Sequence, residues 1–215
     1  MTDYAVQRSH MVESQLSTND VADPRIRLAM AAVPREQFVP EARRAMAYCD
    51  LSVEVSPGRY LLEPRCLAKL LVLAIVQPTD HVLDVACATG YGTAVLAQLV
   101  KSVVAVEQDG DLMRQAVERL RGVANVTVVQ GALAEGAKAQ APYDLIVVEG
   151  GIEEAPAALL AQLAEGGRLV GVLQRGAQGR AHIFVREHGR VGSRPDFDAS
   201  VPVLAEFRKS VEFVF

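Results

Sequence analysis

Along this chain the spacing of apolar residues changes character near residue 64. From residue 4 to 46 it is helical: Met11, Gln15 and Leu16 mark one helix, and Ile26, Leu28, Ala29, Met30 and Val33 mark a second. Asp23-Pro24 heads that second helix, where a capping acceptor and a first-turn proline belong. Pro34, Pro40, Pro57 and Pro64 then punctuate the pattern, and residues 50–63, which hold no sustained period, are expected to form a loop. Loops of that length often carry function. Beyond Pro64 helix-like and strand-like stretches alternate. Helices are expected at 65–76, 93–100, 112–121 and 155–164, and strands at 81–85, 103–106, 126–129, 143–148 and 168–173, the last entered through Gly166-Gly167. Such alternation builds βαβ units around a parallel sheet, and the segments from 182–186 through 201–215 are expected to complete it as antiparallel strands. The predicted fold class is α/β, mostly parallel, with helices on both faces and an N-terminal helical extension. Residues 1–64 form the extension and the loop, 65–215 the core, within one domain.

Composition narrows the picture. With 215 residues, half of them hydrophobic and 22% charged, the chain can bury a sizeable core and is too apolar for disorder. The longest apolar stretch, 67–77, contains Lys69 and is too short to cross a bilayer, and residues 1–9 lack a hydrophobic signal core, so a soluble, cytoplasmic protein without a membrane partner is expected. A net charge of -4 argues against nucleic acid as a partner. Cys49, Cys66 and Cys87 are too few and too widely spaced for a disulfide framework or a zinc site, and His10, His81, His182 and His188 are scattered, so no metal is expected. Neither a Gly-x-Ser-x-Gly elbow nor a phosphate-binding Gly-x-x-x-x-Gly-Lys loop occurs.

The first strand–turn–helix of an open α/β sheet usually cradles the ligand. Here it reads Val82-Leu83-Asp84-Val85-Ala86-Cys87-Ala88-Thr89-Gly90-Tyr91. Dinucleotide loops use several glycines to approach a pyrophosphate, whereas this one keeps only Gly90 and places an acid, Asp84, at the strand end. S-adenosylmethionine (AdoMet), which has no phosphate and carries an amino group and a sulfonium, suits that arrangement better than NAD. Glu107, after Val104-Ala105-Val106, stands where a carboxylate can accept hydrogen bonds from both ribose hydroxyls; the bland alternative is the solvated end of a strand. The expected class is a Rossmann-like class I AdoMet-dependent methyltransferase.

With those residues in place, the chain resembles protein-L-isoaspartate O-methyltransferases over nearly its whole length. The N-terminal segments Met11-Val12-Glu13-Ser14-Gln15-Leu16, Asp23-Pro24-Arg25 and Val33-Pro34-Arg35-Glu36-Gln37-Phe38-Val39-Pro40 carry the most specific part of the likeness. Tyr143-Asp144-Leu145-Ile146-Val147-Val148 and Leu163-Ala164-Glu165-Gly166-Gly167-Arg168-Leu169-Val170 add support shared with many methyltransferases. The resemblance implies AdoMet as methyl donor, isoaspartyl carboxylates of damaged proteins or peptides as acceptor, and a cofactor site at Asp84, Ala86, Ala88, Gly90, Glu107, Gly131 and Ala132.

The chain departs from the family where chemistry is concentrated. Gly58-Arg59-Tyr60-Leu61-Leu62-Glu63-Pro64 matches a Gly-Gln-Thr-Ile-Ser-Gln-Pro segment, so Leu62 stands where a serine implicated in catalysis is expected. Leucine neither donates nor accepts a hydrogen bond. Ala86 and Ala88 replace loop glycines, with strain expected if either needs positive φ. Gly131-Ala132 replaces a Gly-Asp pair and so lacks the carboxylate expected on the adenine amino group. Glu149-Gly150-Gly151 replaces an alanine-rich turn; Glu149 reads as a new base or as a solvated loop end, the second being the expectation. Arg59 and Tyr60 are candidates for binding an acceptor carboxylate, against a loop arginine in solvent. The leading functional expectation is an isoaspartyl O-methyltransferase. The alternatives are a non-catalytic binding or scaffold protein that keeps the fold, and a methyltransferase with another acceptor.

Overall fold

The computed structural model describes residues 3–176 and 178–209. It opens with helix α1 (Tyr4–Met11), a π-helical turn at Val12–Leu16, and helix α2 (Pro24–Ala32), whose start is fixed as its sequence predicts: the Asp23 carboxylate accepts the Arg25 N–H at 2.8 Å ahead of Pro24. A 3-10 turn at Arg35–Phe38 and another at Glu41–Met46 lead into residues 50–63. These do not form the expected loop. They fold as an antiparallel hairpin of β1 (Val53–Ser56) and β2 (Arg59–Leu61), turned at Pro57-Gly58 with Gly58 at φ 74°. The strands are too short for a period to show in sequence.

Helix α3 (Pro64–Leu73) buries Cys66, Leu67, Leu70 and Leu71 and delivers the chain to β3 (His81–Val85). Then come α4 (Tyr91–Ala97), β4 (Ser102–Glu107), α5 (Gly110–Arg119), β5 (Val126–Gln130), β6 (Tyr143–Ile152), the short α6 (Ala157–Leu160), β7 (Leu163–Arg175), β8 (Gln178–Glu187) and β9 (Arg190–Asp198). The seven-stranded sheet runs β5-β4-β3-β6-β7-β8-β9, parallel from β5 to β7 and antiparallel at the β8–β9 edge. The helix expected over 155–164 shrinks to one turn because β7 begins at Leu163, and Gly167 passes so close to the Tyr143 carbonyl that a Cβ would sit 2.8 Å from it. Residues 201–209 form no antiparallel strand. Val203 makes a single parallel bridge to Gly151, followed by a 3-10 turn at Ala205–Phe207. The end of that expected strand, 210–215, lies outside the described residues.

Alternation along the strands splits the core between the two faces. Val82, Val103, Ala105, Leu145 and Val147 join one cluster, with Met11, Leu16, Ile26 and Met30 of the N-terminal helices and with α3 and α4. Leu83, Val85, Val104, Val106, Ile146 and Val148 join the other, closed by Leu133, Leu159, Leu204 and Phe207. A sheet covered on both faces reads as continuous apolar runs, as these strands do. Each fully buried Leu, Val or Ile stabilises the fold by about 1.5–3 kcal/mol.

Candidate functional site

From β3 the chain winds outward through β4 to β5 and then crosses back to place β6 on the other side of β3. Ligands of such sheets bind at the carboxyl ends of the strands where the order reverses. Strand register puts Val85 beside Val106 and beside Val148. One residue further on, just past the end of β3, Ala86, Glu107 and Glu149 therefore stand at the same level, while β6 itself continues to Ile152.

The 84–90 loop is pinned rather than open. The Val106 carbonyl accepts the N–H groups of Ala86 (3.0 Å) and Cys87 (3.3 Å), the Ala88 N–H donates to Glu107 Oε2 (3.0 Å), and the Thr89 hydroxyl donates to the Phe38 carbonyl (2.6 Å). Ala86, Ala88 and Gly90 all take positive φ, at 64°, 50° and 92°. The strain anticipated for alanine is therefore present, at about 1–2 kcal/mol per residue. The methyl groups do not fill the cradle: Ala86 packs into one core cluster and Ala88 into the other. At Gly90, where helix α4 begins, a Cβ would lie 2.8 Å from Leu120 Cδ1.

Glu107 is fully buried, which corrects the alternative of a solvated strand end. Its Oε1 accepts the N–H groups of Gln108 (2.8 Å) and Asp109 (3.0 Å) and Arg59 Nε (3.3 Å). Arg59, expected in a solvated loop if it had no role, lies on β2 at 8% exposure, and its Nη2 donates to Glu206. Burial pulls on the guanidinium, but the two carboxylates outweigh it and hold Arg59 above its ordinary value. Outside this clasp lies a cavity of about 370 Å³ bordered by Gly58, Arg59, Gln108, Asp109 and Glu206. Tyr60 points elsewhere, donating to Glu54 at 3.3 Å.

Glu149 is the clearest correction. Expected as a solvated loop end, it is 2% exposed and lies against the first turn of α4, where a Cβ on Gly92 would be 1.7 Å from its Oε1. Burial, then the neighbouring Asp84, pushes Glu149 well above the usual carboxyl range. Asp84 is raised by burial too, and its Oδ2 accepts the Thr93 hydroxyl. Asp84 Oδ1 and Glu149 Oε1 are buried with no hydrogen-bond partner among the described residues, and two acids so placed disfavour ionisation of both. Nearby, Arg35 is wholly buried: Nε and Nη2 donate to the carbonyls of Ala47 and Leu62, each at 2.7 Å, and the guanidinium lies 4.6 Å from the Tyr91 ring centroid.

Gly150 and Gly151 explain how Glu206 reaches the site. A Cβ at Gly150 would meet Leu204 at 2.6 Å, and Gly151 exchanges backbone hydrogen bonds with Pro202 and Leu204. The C-terminal segment can thus cross the end of β6. The structure brings together Asp84, Ala86, Ala88, Gly90, Glu107, Glu149 and Arg59. Gly131 and Ala132 stand one strand further out after β5, with Gly131 N–H bonded to the Glu107 carbonyl and Ala132 exposed. Leu62 is buried among apolar neighbours and shows only its carbonyl to Arg35. Sequence reasoning missed Arg35, Gly92, Thr93 and Glu206. Only Arg35, which falls within the Val33–Pro40 motif, offered a signal. A groove of about 880 Å³ lies at the antiparallel edge among Arg65, Leu173, Arg175, Arg180 and His182 and contains none of the predicted site residues.

The residues suit a ribose at one exchange. Three backbone N–H groups hold the Glu107 carboxylate in place, and its longest contact, Arg59 at 3.3 Å, is the one that ribose hydroxyls would replace. The reversal of strand order, the loop after β3 and the acid closing β4 define a Rossmann-like methyltransferase fold. A solved protein-L-isoaspartate O-methyltransferase shares it with a TM-score of 0.80 at 23% identity, over 91% of this chain and 65% of that one. So does a Plasmodium falciparum structure of that description in complex with S-adenosyl-L-homocysteine, with a TM-score of 0.79 at 20% identity, over 93% and 98% of the two chains. The family model described as Protein-L-isoaspartate(D-aspartate) O-methyltransferase matches residues 6–198. A protein-L-isoaspartate O-methyltransferase of Koribacter versatilis is 37% identical over 79% of this chain and 78% of its own, and one of Methanoculleus marisnigri 35% identical over 94% and 93%. This chain belongs to the protein-L-isoaspartate(D-aspartate) O-methyltransferase family.

Proposed function

We propose that the protein is an AdoMet-dependent O-methyltransferase acting on isoaspartyl carboxylates of damaged proteins. The observation that carries this reading is Glu107, buried at the carboxyl end of β4 beside the 84–90 loop, in a chain matched to its family over 6–198. Glu107 would hold the ribose, and Asp84 with the start of α4 would face the amino-acid end. When bound, the cofactor supplies an electrophilic methyl group on a sulfonium. A carboxylate acceptor is already a competent nucleophile, so this chain's contribution is to position the acceptor and exclude water. Leu62 gives no hydrogen bond to that step. Glu149, buried and raised well above the usual carboxyl range, is not offered to the acceptor as a base.

A role in protein repair in the cytoplasm fits this chemistry. It is supported by cysteines that are all free and by the finding that no helix among the described residues is long and apolar enough to cross a membrane. A second reading, a binding protein that keeps the fold without catalysis, is favoured by the saturation of Glu107 by three N–H groups and Arg59. Calorimetric titration with AdoMet separates the two: the enzyme gives saturable binding that Glu107→Ala abolishes, and the scaffold gives none. An isoaspartyl peptide and its normal aspartyl counterpart, supplied with labelled AdoMet, then test the acceptor.

A further inference from the structure

Under the proposed isoaspartyl activity, on which this inference rests, the acceptor is an anion entering a site already crowded with carboxyl groups: Asp84, Glu107, Glu149 and Glu206. A cation must receive it. Two guanidinium groups are present. Arg35 is enclosed: Nε and Nη2 donate to the carbonyls of Ala47 and Leu62, Tyr91 covers its face, and Nη1, although it has no hydrogen-bond partner among the described residues, is fully buried and out of an entering anion's reach. Arg59 borders the 370 Å³ cavity, and its fork is only partly engaged. Nε donates to Glu107 at 3.3 Å and Nη2 to Glu206, while Nη1 reaches only the Gly58 carbonyl at 3.4 Å. A planar fork with free N–H groups facing open space is suited to bidentate binding of a carboxylate.

We infer that Arg59 is the residue that binds the acceptor carboxylate, stored on Glu107 and Glu206 until ribose hydroxyls displace it from Glu107. Hydroxyl groups satisfy Glu107 without neutralising it, so the guanidinium swings toward the cavity with Glu206 as its remaining protein partner. The two ligands are then coupled: cofactor binding raises acceptor affinity, and linkage makes the effect reciprocal. Arg59 also supplies, three residues before Leu62 in the chain, a polar group that Leu62 cannot.

The test is calorimetry on the full chain with a hexapeptide containing one isoaspartyl residue, with and without saturating S-adenosylhomocysteine. For the unaltered protein we expect the peptide to bind at least about fivefold more tightly when S-adenosylhomocysteine is present. Arg59→Gln is expected to weaken peptide binding to that complex about tenfold or more, while S-adenosylhomocysteine affinity stays level or improves because a competitor for Glu107 is gone. Glu206→Gln is expected to shift peptide affinity the other way, by freeing the fork. A purely structural Arg59 would weaken both ligands together in Arg59→Gln, and that result overturns the inference, as does an unchanged peptide affinity. Should Arg59→Gln fail to fold, Glu206→Gln decides: tighter peptide binding supports the inference, and equal or weaker binding overturns it. Methyl transfer by the unaltered protein distinguishes the two levels. Transfer with no opposed shifts sinks the inference alone; no transfer to the isoaspartyl peptide removes the proposed function and the inference with it.

Discussion

On the two flanks of β3, one residue past its end, the neighbouring strands each carry a buried glutamate at the same level, and the two are treated in opposite ways. Glu107, on the β4 side, is met by three backbone N–H groups and a guanidinium. Glu149, on the β6 side, is met by another acid and is pushed well above the usual carboxyl range. Identical side chains, both buried, thus meet opposite surroundings: hydrogen-bond donors on one flank, and on the other a second acid that joins burial in raising Glu149. The Glu107 flank is equipped to bind hydroxyl groups. The Glu149 flank is sealed, which leaves Arg59 as the cation open to an entering carboxylate.

The sharpest way to break this contrast is to remove the well-supplied acid. Glu107→Leu leaves Arg59 with Glu206 as its remaining carboxylate and strands three N–H groups in the interior, with an expected loss of about 3–5 kcal/mol in denaturant unfolding. Next comes Gly92→Ala, whose Cβ claims the place of Glu149 Oε1 at 1.7 Å. Moving that carboxyl off the helix start costs about 1–3 kcal/mol, readable as a lowered unfolding midpoint.

Glu149→Gln tests protonation directly. Because the folded pKa of Glu149 lies above the usual 4.5, the folded state holds a proton that the unfolded chain gives up first. The stability this contributes is full below pH 4.5 and is lost as pH rises through the folded pKa. Glutamine keeps the donor to Asp84 and cannot titrate. The variant is therefore expected to match the parent at acidic pH and to exceed it by about 1 kcal/mol at pH 8, roughly 2–4 °C in Tm. An unchanged pH slope would place the proton elsewhere. The smallest effect is expected from Ala86→Gly and Ala88→Gly, where relief of positive φ and the added backbone entropy of glycine nearly offset, giving a gain of at most about 1 kcal/mol each by thermal unfolding.

Much of this arrangement was legible before any coordinates. Strands such as Val103–Val106 announce themselves because both faces are covered, and an acid terminating one is conspicuous. The hairpin over 53–61 was not legible, since Val53 and Leu61 are the pair it buries most deeply and so short an alternation leaves no period. The fate of Glu149 was hidden for another reason. It depends on Gly92 across the switch point and on Asp84 beneath it, contacts made by the fold rather than by neighbours in the chain. Glu206 illustrates the same limit, reaching Arg59 from 147 positions away because Gly150 and Gly151 let the C-terminal segment cross β6. The N-terminal Arg35 and Phe38 were recognised as a motif, but their physical purpose emerges only in three dimensions: one lies against Tyr91, the other receives Thr89, and together they brace the cofactor loop.

The most direct measurement is transfer of labelled methyl groups from AdoMet to an isoaspartyl peptide, run beside its normal aspartyl counterpart. Label entering the isoaspartyl peptide alone, and lost in Glu107→Ala, is the result expected of a working site at the ends of β3 and β4. Absence of label from both peptides, with no saturable AdoMet binding, would contradict it.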